Sequence, residues 1–477
     1  MKTILHNPAI KKVHFIGVGG IGMSGLAEIL LTKGYQVSGS DKVNNAITSR
    51  LTRLGAQIFL GHEAEHSRDA DAVVYSSAIN FKNPEYVFAK QQGLPLIQRG
   101  ELLAEIMSSG RGIAIAGTHG KTTTTGLAGL LLTVANLDPT YVIGGMLRGS
   151  ESTVRIGKGP EIIAEADESD QSFLFIQPQV AIVTNIEADH LENYQWDFSC
   201  LKQAFIDFLN SVAPGGVAIV CIDDPTVREI LPKISTRVIT YGFSEQAQIR
   251  ADQFQQLGLK SYFRLIRHGR NLADLAVLNL PGLHNVLNAL AIVALAGEYQ
   301  IGDQALLKAL AEFPGMGRRF HPCGEITVKG GKALLFNDYG HHPTEIKATI
   351  AAARLAWPNR RLVMAFQPHR YSRTQALLDD FAQVLNETDL LFLLDIYAAG
   401  EAPISGVNGE LLFQAVQRQS HLNAHFVPNL NDLPALLHSL LNDGDIVLLQ
   451  GAGNIETLVK EIRAIAKMNC HCERACE

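Results

Sequence analysis

The segment GIAIAGTHGKTTTTGLAGLLL, beginning at Gly112, constrains this chain more than any other. An apolar β-type run leads into a glycine-rich turn and then a helical pattern, the arrangement of a phosphate-binding loop. The usual spacing puts a first glycine where this chain has Ile115, leaving AGTHGKTT, Gly117 to Thr123, as the loop proper. The physical requirements survive that change. Gly117 and Gly120, with Thr118 and His119 between them, let backbone N–H groups curl around phosphate oxygens, and the following helix turns its positive end toward them. Lys121 is placed to reach the β- and γ-phosphates, and the Thr122 hydroxyl to ligate magnesium, with Thr123 next in the first helical turn. The segment is read as an ATP site; the bland alternative is a glycine-rich turn with a solvated lysine.

Accessory groups for such a loop belong at the ends of neighbouring strands. IIAEADESD offers Glu165, Asp167, Glu168 and Asp170, and IVTNIEADH offers Glu187, Asp189 and His190. Carboxylates beside a triphosphate repel it unless a cation lies between them, which implies Mg²⁺. Glu165 and His190 are the favoured partners of Thr122 at the metal, with Glu168 the runner-up carboxylate to Glu165. For any single acid, a helix N-cap is the competing role.

A second glycine loop precedes the first by almost a hundred residues. In HFIGVGGIGMSG, Gly17, Gly19 and Gly22 fit G-x-G-x-x-G, and Asp41 ends the next strand where a ribose-binding acid is expected. Taken alone, this fingerprint favours NAD. A ligand-free turn is the plain alternative. The same cradle holds any pyrophosphate, however, and Gly20 gives further room for close backbone approach. An enzyme that activates a nucleotide-linked acid with ATP needs both loops, so the whole chain favours a UDP-sugar.

The remaining sequence bounds these readings. At 477 residues the chain has room for about three domains. Its net charge of −6 argues against a nucleic-acid binder with a broad basic face. The apolar run ALAIVALA from Ala289 is too short to span a membrane, and MKTILHNPAIKKVHF lacks a secretory core, so a cytoplasmic protein without membrane association is expected. Cys200, Cys221 and Cys323 are scattered singly, as in a reducing compartment. Cys470, His471, Cys472 and Cys476 match no standard zinc spacing and are assigned no function.

Short β-rich runs alternate with helical patterns almost throughout, predicting βαβ units and mainly parallel sheets. The expected fold is α/β in three domains: a Rossmann-like domain over residues 1–108, a central P-loop ATPase domain with a mainly parallel sheet over 109–316, and a second Rossmann-like domain over 317–477. PGMGRRFHPCG reads as the linker before the last. That domain carries two polar clusters at strand ends: Asp338, Tyr339, His341 and His342 in NDYGHHPTE, and His369, Arg370 and Arg373 in FQPHRYSRT. If the latter segment opens a helix, both guanidiniums share a face suited to a carboxylate or phosphate.

Taken in order, GVGGIGMSG, AGTHGKTTTT, AEADESD, TNIEADH, GLHNVLNA, GRRF, DYGHHPTE, FQPHRYSRT and DIYAAGE resemble the Mur ligases, from about Lys12 to Gly453. DYGHHPTE with QPHRYSR points to the member that adds the first stem-peptide residue. The resemblance implies a UDP-sugar domain, a central ATPase domain and an amino-acid domain that close around UDP-N-acetylmuramate, ATP and L-alanine. It implies a ligase of peptidoglycan synthesis, with the cell-wall, cell-shape and cell-division roles that follow, working as a monomer or homodimer. It carries an adenine contact to Asn285 and further nucleotide contacts to Arg319 and Asp338. It also carries an amino-acid site to Tyr339, His341, Arg370 and Arg373, with His341 orienting or deprotonating the amine. Several sister ligases have a carbamylated lysine where this chain has Phe205; Lys202 lies three residues early and is not assigned that role.

Overall fold

The computed structural model describes residues 3–150 and 152–464, so the cysteine-containing tail lies outside the described residues. The chain divides into two compact units. Among the described residues, the first comprises 3–150, 152–254, 262–279 and 285–314; the second comprises 255–261, 280–284 and 315–464.

The first unit contains two sheets. One has five parallel strands in the spatial order Gln57–Leu60, Gln36–Asp41, Lys12–Ile16, Ala72–Tyr75, Leu96–Gln98. Lys12–Ile16 lies between the second and fourth strands in sequence, which makes its C-terminal end a topological switch point, and the first glycine loop leaves from there. The other sheet has ten strands, and Arg111–Ala116 lies between Glu161–Glu165 and Val180–Val183, parallel to both. That second switch point supplies the ATP-type loop. Arg111–Ala116 is buried after its first residue, and Val180–Val183 and Val217–Cys221 are buried throughout. Unbroken apolar runs of this kind belong to sheets covered on both faces.

The expectation of a mainly parallel central sheet holds over seven adjacent strands, from Ile249–Leu257 to Thr140–Val142. The sheet is nevertheless mixed. Val154–Arg155 pairs antiparallel at one edge, and Lys260–Arg267 and Arg270–Leu278 extend the other through two-residue connections. Such short links join only antiparallel neighbours. One apolar cluster runs through both sheets, including Phe15 and Leu26 as well as Ala114 and Phe205.

The second unit is built on six strands in the order His321–Val328, Gly331–Asp338, Ile446–Gln450, Leu362–Phe366, Leu390–Leu394, Ala424–Val427. Only the first pair is antiparallel. The segment expected to be a linker is instead part of this unit. Phe320 is buried and stacks on Phe336 at 4.8 Å, while Arg318 lies over the Tyr339 ring at 4.7 Å. Glycine, proline and arginine density suggested a tether because the sequence does not disclose where those side chains pack.

Candidate active site

The ATP-type loop is fixed by the strand beside it. Thr118 N–H donates to the Asn185 carbonyl at 3.1 Å, and His119 N–H to Asn185 Oδ1 at 2.8 Å. The Thr184 hydroxyl donates to the His119 carbonyl at 2.6 Å. Gly117 has φ +125°, and a Cβ there would lie 2.2 Å from Thr184 Oγ1; Gly120 has φ +87°, and a Cβ there would lie 2.5 Å from Asn288 Oδ1. Both glycines are therefore required by fit as well as conformation. The helix Lys121–Val134 has no side-chain cap and no acid in its first turn, leaving its positive end available to an anion. Thr123 is buried in that turn.

Lys121 Nζ donates to both Glu168 carboxylate oxygens at 2.8 Å and to the Gly117 carbonyl at 2.6 Å. Burial pushes the Lys121 pKa down, but Glu168 and Asp167 outweigh it and the group stays protonated. Burial pushes Glu168 up to about 7 against the pull of Lys121, with Asp167 adding to the rise. The two-pronged contact itself favours the charged pair. Asp167 is also pushed up by burial, yet Lys121, Arg99 and Ser169 together hold it below the usual carboxylate range.

Thr122 Oγ1 donates to Glu165 Oε2 at 3.2 Å, and Glu165 Oε1 accepts from Gly144 N–H at 2.6 Å. Hydroxyl and carboxylate oxygens side by side at a phosphate loop form a hard donor set that fits Mg²⁺. His190 follows the neighbouring strand with φ +56°, with Asp189 Oδ2 at 3.5 Å from its Nε2 and Glu192 Oε1 at 3.7 Å from its Nδ1. His119 Nε2 lies 3.4 Å from Glu187 Oε2. Asn285 is buried and accepts from Asn288 at 3.3 Å. Asn288, packed against Gly120, was not singled out in the sequence; its signal was its position one helical turn beyond Asn285. Phe205, at the place of the sister ligases' lysine, is fully buried 5.2 Å from the Phe173 ring, and Lys202 pairs with Glu229 at 2.7 Å.

The first glycine loop and Lys121, which directly follows the ATP-type loop, line one cavity of about 520 Å³. Gly17, Gly20, Gly22 and Asp41 line it together with Lys121 and Glu165. Asp41 is already used by its own loop, since Oδ2 accepts from Gly19 N–H at 2.8 Å and Oδ1 from Val43 N–H at 3.2 Å. A Cβ on Gly19 would collide with that carboxylate at 2.8 Å. The cavity also exposes groups that motif reasoning missed: Arg99, Lys42, His62 and Ser77. Arg99 opens the helix Arg99–Ser108 directly after the strand Leu96–Gln98, and a cation just past a strand end was its only signal.

In the second unit, Tyr339, His341, His369 and Tyr397 form a chain of rings. Successive centroids are 5.4, 5.6 and 5.7 Å apart. Arg373 Nη1 lies 3.4 Å from His369 Nδ1 and the arginine is buried. Burial, then Arg373 and Arg370, push the His369 pKa down to about 4. Arg370 caps the helix Tyr371–Ala376 at φ +72° rather than lying within it, so the expectation of two arginines on one helical face is corrected. Its Nε lies 4.0 Å from Glu401. His341 N–H donates to Glu345 at 2.9 Å, and His342 caps the helix Pro343–Ala356. Arg319 lies over Tyr339 at 5.2 Å and donates to Glu345 at 3.4 Å. Both Asp338 oxygens accept locally at 2.7 Å, from Phe320 N–H on one side and from Gly340 N–H and Gln450 on the other. Those bonds give Asp338 a structural task within its own unit.

Comparisons with known proteins agree along nearly the whole chain. Residues 12–111 match the model of the Mur ligase family catalytic domain, 115–296 the Mur ligase middle domain and 318–453 the Mur ligase glutamate ligase domain. The structure is similar to UDP-N-acetylmuramate-alanine ligase MurC from Thermotoga maritima, with a TM-score of 0.82 and 27% identity, covering 96% of this chain and 99% of that one. It is similar in fold to the murein peptide ligase from Psychrobacter arcticus, with a TM-score of 0.70, 23% identity and coverage of 95% and 98%. The fold also matches MurF from Acinetobacter baumannii, at a TM-score of 0.60 and 16% identity over 90% of each chain.

Proposed function

The chain belongs to the Mur ligase family of ATP-dependent ligases, and from that premise we propose that it joins L-alanine to the lactyl carboxylate of UDP-N-acetylmuramate. The observation that carries this reading is the cavity in which a pyrophosphate-type glycine loop meets Lys121 of the ATP-type site and Glu165. A dehydrogenase has no use for a phosphate loop beside its dinucleotide cradle. An enzyme that phosphorylates a nucleotide-linked acid needs both anions within reach of one another.

A carboxylate and an amine do not condense at neutral pH, because the carboxylate is a poor electrophile. In the proposed reaction a lactyl carboxylate oxygen attacks the γ-phosphorus of ATP and the bond to ADP breaks. The amine of L-alanine then attacks the acyl carbon of the acyl phosphate, loses a proton, and phosphate departs with the C–O electron pair. Lys121 and the amides of residues 117–121 offset charge as two anions approach. Lys121 exchanges Glu168 for phosphate oxygens as ATP enters. Thr122 and Glu165, with His190 as the proposed third ligand, would hold Mg²⁺, which would supply neutralisation of phosphate charge. In the second unit Arg373 and Arg370 hold the amino-acid carboxylate, while Tyr339 and His341 orient the amine. His369, neutral at physiological pH, accepts hydrogen bonds without adding positive charge. Domains are proposed over 1–108, 109–316 and 317–477, and the reaction is the first stem-peptide step of peptidoglycan synthesis in the cytoplasm.

The test is phosphate release from ATP with each substrate omitted in turn. The proposal expects turnover that requires both UDP-N-acetylmuramate and L-alanine. Equal rates with a preformed peptide in place of L-alanine would overturn the choice of amine.

A further inference from the structure

Arg99 is a loosely held guanidinium in this cavity. A guanidinium carries five N–H donors, yet among the described residues its one hydrogen bond is to the Ser172 hydroxyl at 3.3 Å. Its Nη2 stands 3.6 Å from Asp167 Oδ2 and 3.6 Å from Asp170 Oδ2, close enough for ion pairing with both but bonded to neither. Lys121, by contrast, is held by two short bonds to Glu168. Arg99 also lies against the first turn of the helix Ile21–Thr32, since a Cβ on Gly22 would meet its Cδ at 3.2 Å and its Nη1 at 3.4 Å. That helix has no side-chain cap and no acid in its first turn, so its end and the guanidinium present positive potential to the same space.

We propose that Arg99 is the positioning residue for the diphosphate of the nucleotide-linked acceptor, held in reserve by Asp167 and Asp170 until the diphosphate displaces them. This rests on the reading of the first glycine loop as a pyrophosphate cradle. The two carboxylates are competitors for Arg99, and their loose contacts make the exchange favourable once a two-pronged, 2.8 Å-type phosphate contact is offered. Asp170 also accepts from the Ser77 hydroxyl at 2.9 Å, so Arg99 and Ser77 together fasten the acidic loop to the first sheet's strand ends. Entry of the acceptor undoes the arginine half of that fastening. The acidic loop is then released beside Lys121 when the acceptor is present, which couples acceptor binding to the ATP site before the two substrates meet.

The experiment is a titration of the full chain with UDP in EDTA, so that no metal bridges ligand and protein. Arg99→Met is expected to weaken UDP binding about tenfold or more, as loss of a charge-assisted phosphate contact requires. Arg99→Lys, which keeps the charge but not the fork, falls between. Asp170→Asn keeps an oxygen to accept from Ser172 N–H, which bonds Asp170 Oδ1 at 3.0 Å, but removes one competing charge, and UDP should bind about two- to fivefold more tightly. A purely structural role for Asp170 does not produce that gain. Wild-type affinity in a folded Arg99→Met, or weakened binding in a folded Asp170→Asn, overturns the proposal. UDP lacks the lactyl carboxylate, so failure of alanine-dependent turnover would sink the ligase assignment and leave this titration standing.

Discussion

Replacing Lys121 by Met separates the structural from the chemical use of this lysine. The side chain is 17% exposed and Glu168 4%, so the substitution leaves a buried carboxylate without its partner. Breaking such a pair costs about 3 kcal/mol, which for a unit of this size lowers Tm by roughly 5 °C. Burial already pushes Glu168 up to about 7, and loss of the ammonium pushes it further. A carboxyl whose folded pKa lies above its unfolded value binds more protons folded than unfolded between the two. Stability therefore falls as pH rises through that window. The deficit of Lys121→Met should accordingly be smaller at pH 6 than at pH 8. Adding Glu168→Gln removes the stranded charge and should recover most of the lost Tm, while ATP-dependent phosphate release stays at least about a thousandfold down. Thermal melts at three pH values and a phosphate-release assay on both variants decide the matter. Recovery of turnover in the double variant would refute the phosphate role of Lys121, and a Tm deficit that grows on acidification would refute the account of Glu168.

Gly117→Ala should destabilise the protein by about 2–4 kcal/mol in denaturant titrations, because the added carbon meets Thr184 Oγ1 at 2.2 Å and two backbone atoms at 3.0 Å; an unchanged midpoint would contradict the loop geometry. Arg373→Ala should raise the KM for L-alanine tenfold or more while the KM for ATP moves little, and an unaltered alanine dependence would remove this arginine from the amino-acid site. His369, with its pKa pushed down to about 4, is bare in the folded state while the unfolded imidazole takes up a proton below its ordinary 6.5. The stability it contributes above pH 6.5 is lost as pH falls toward 4, and His369→Gln should flatten that limb by about 1–2 kcal/mol. An identical pH–stability curve for the variant would count against the buried, neutral imidazole.

The strongest strands were legible because parallel strands buried on both faces leave unbroken apolar runs, as in GIAIA, VAIV and IVLLQ. Several half-exposed strands were not. Gln57–Leu60 and Ala424–Val427 are only partly buried, and Ile249–Leu257 alternates polar with apolar residues over one covered face. Short or half-exposed segments give weak periodicity. Among site residues, glycines and the residues between them announced themselves through spacing. Arg99, Asn288, Ser77 and His62 did not, because each acts from a separate element and none belongs to a local pattern.

The sequence by itself determined that two phosphate-type loops follow strands and open helices, because glycine placement, the lysine and the helix start are properties of contiguous residues. Only the tertiary structure decided that the first loop and Lys121 line one cavity, that Glu168 rather than solvent neutralises Lys121, and that Arg99 stands between two carboxylates. Those are distances between residues tens of positions apart. Coulomb and hydrogen-bond energies depend on separation and burial, and neither is written in residue order.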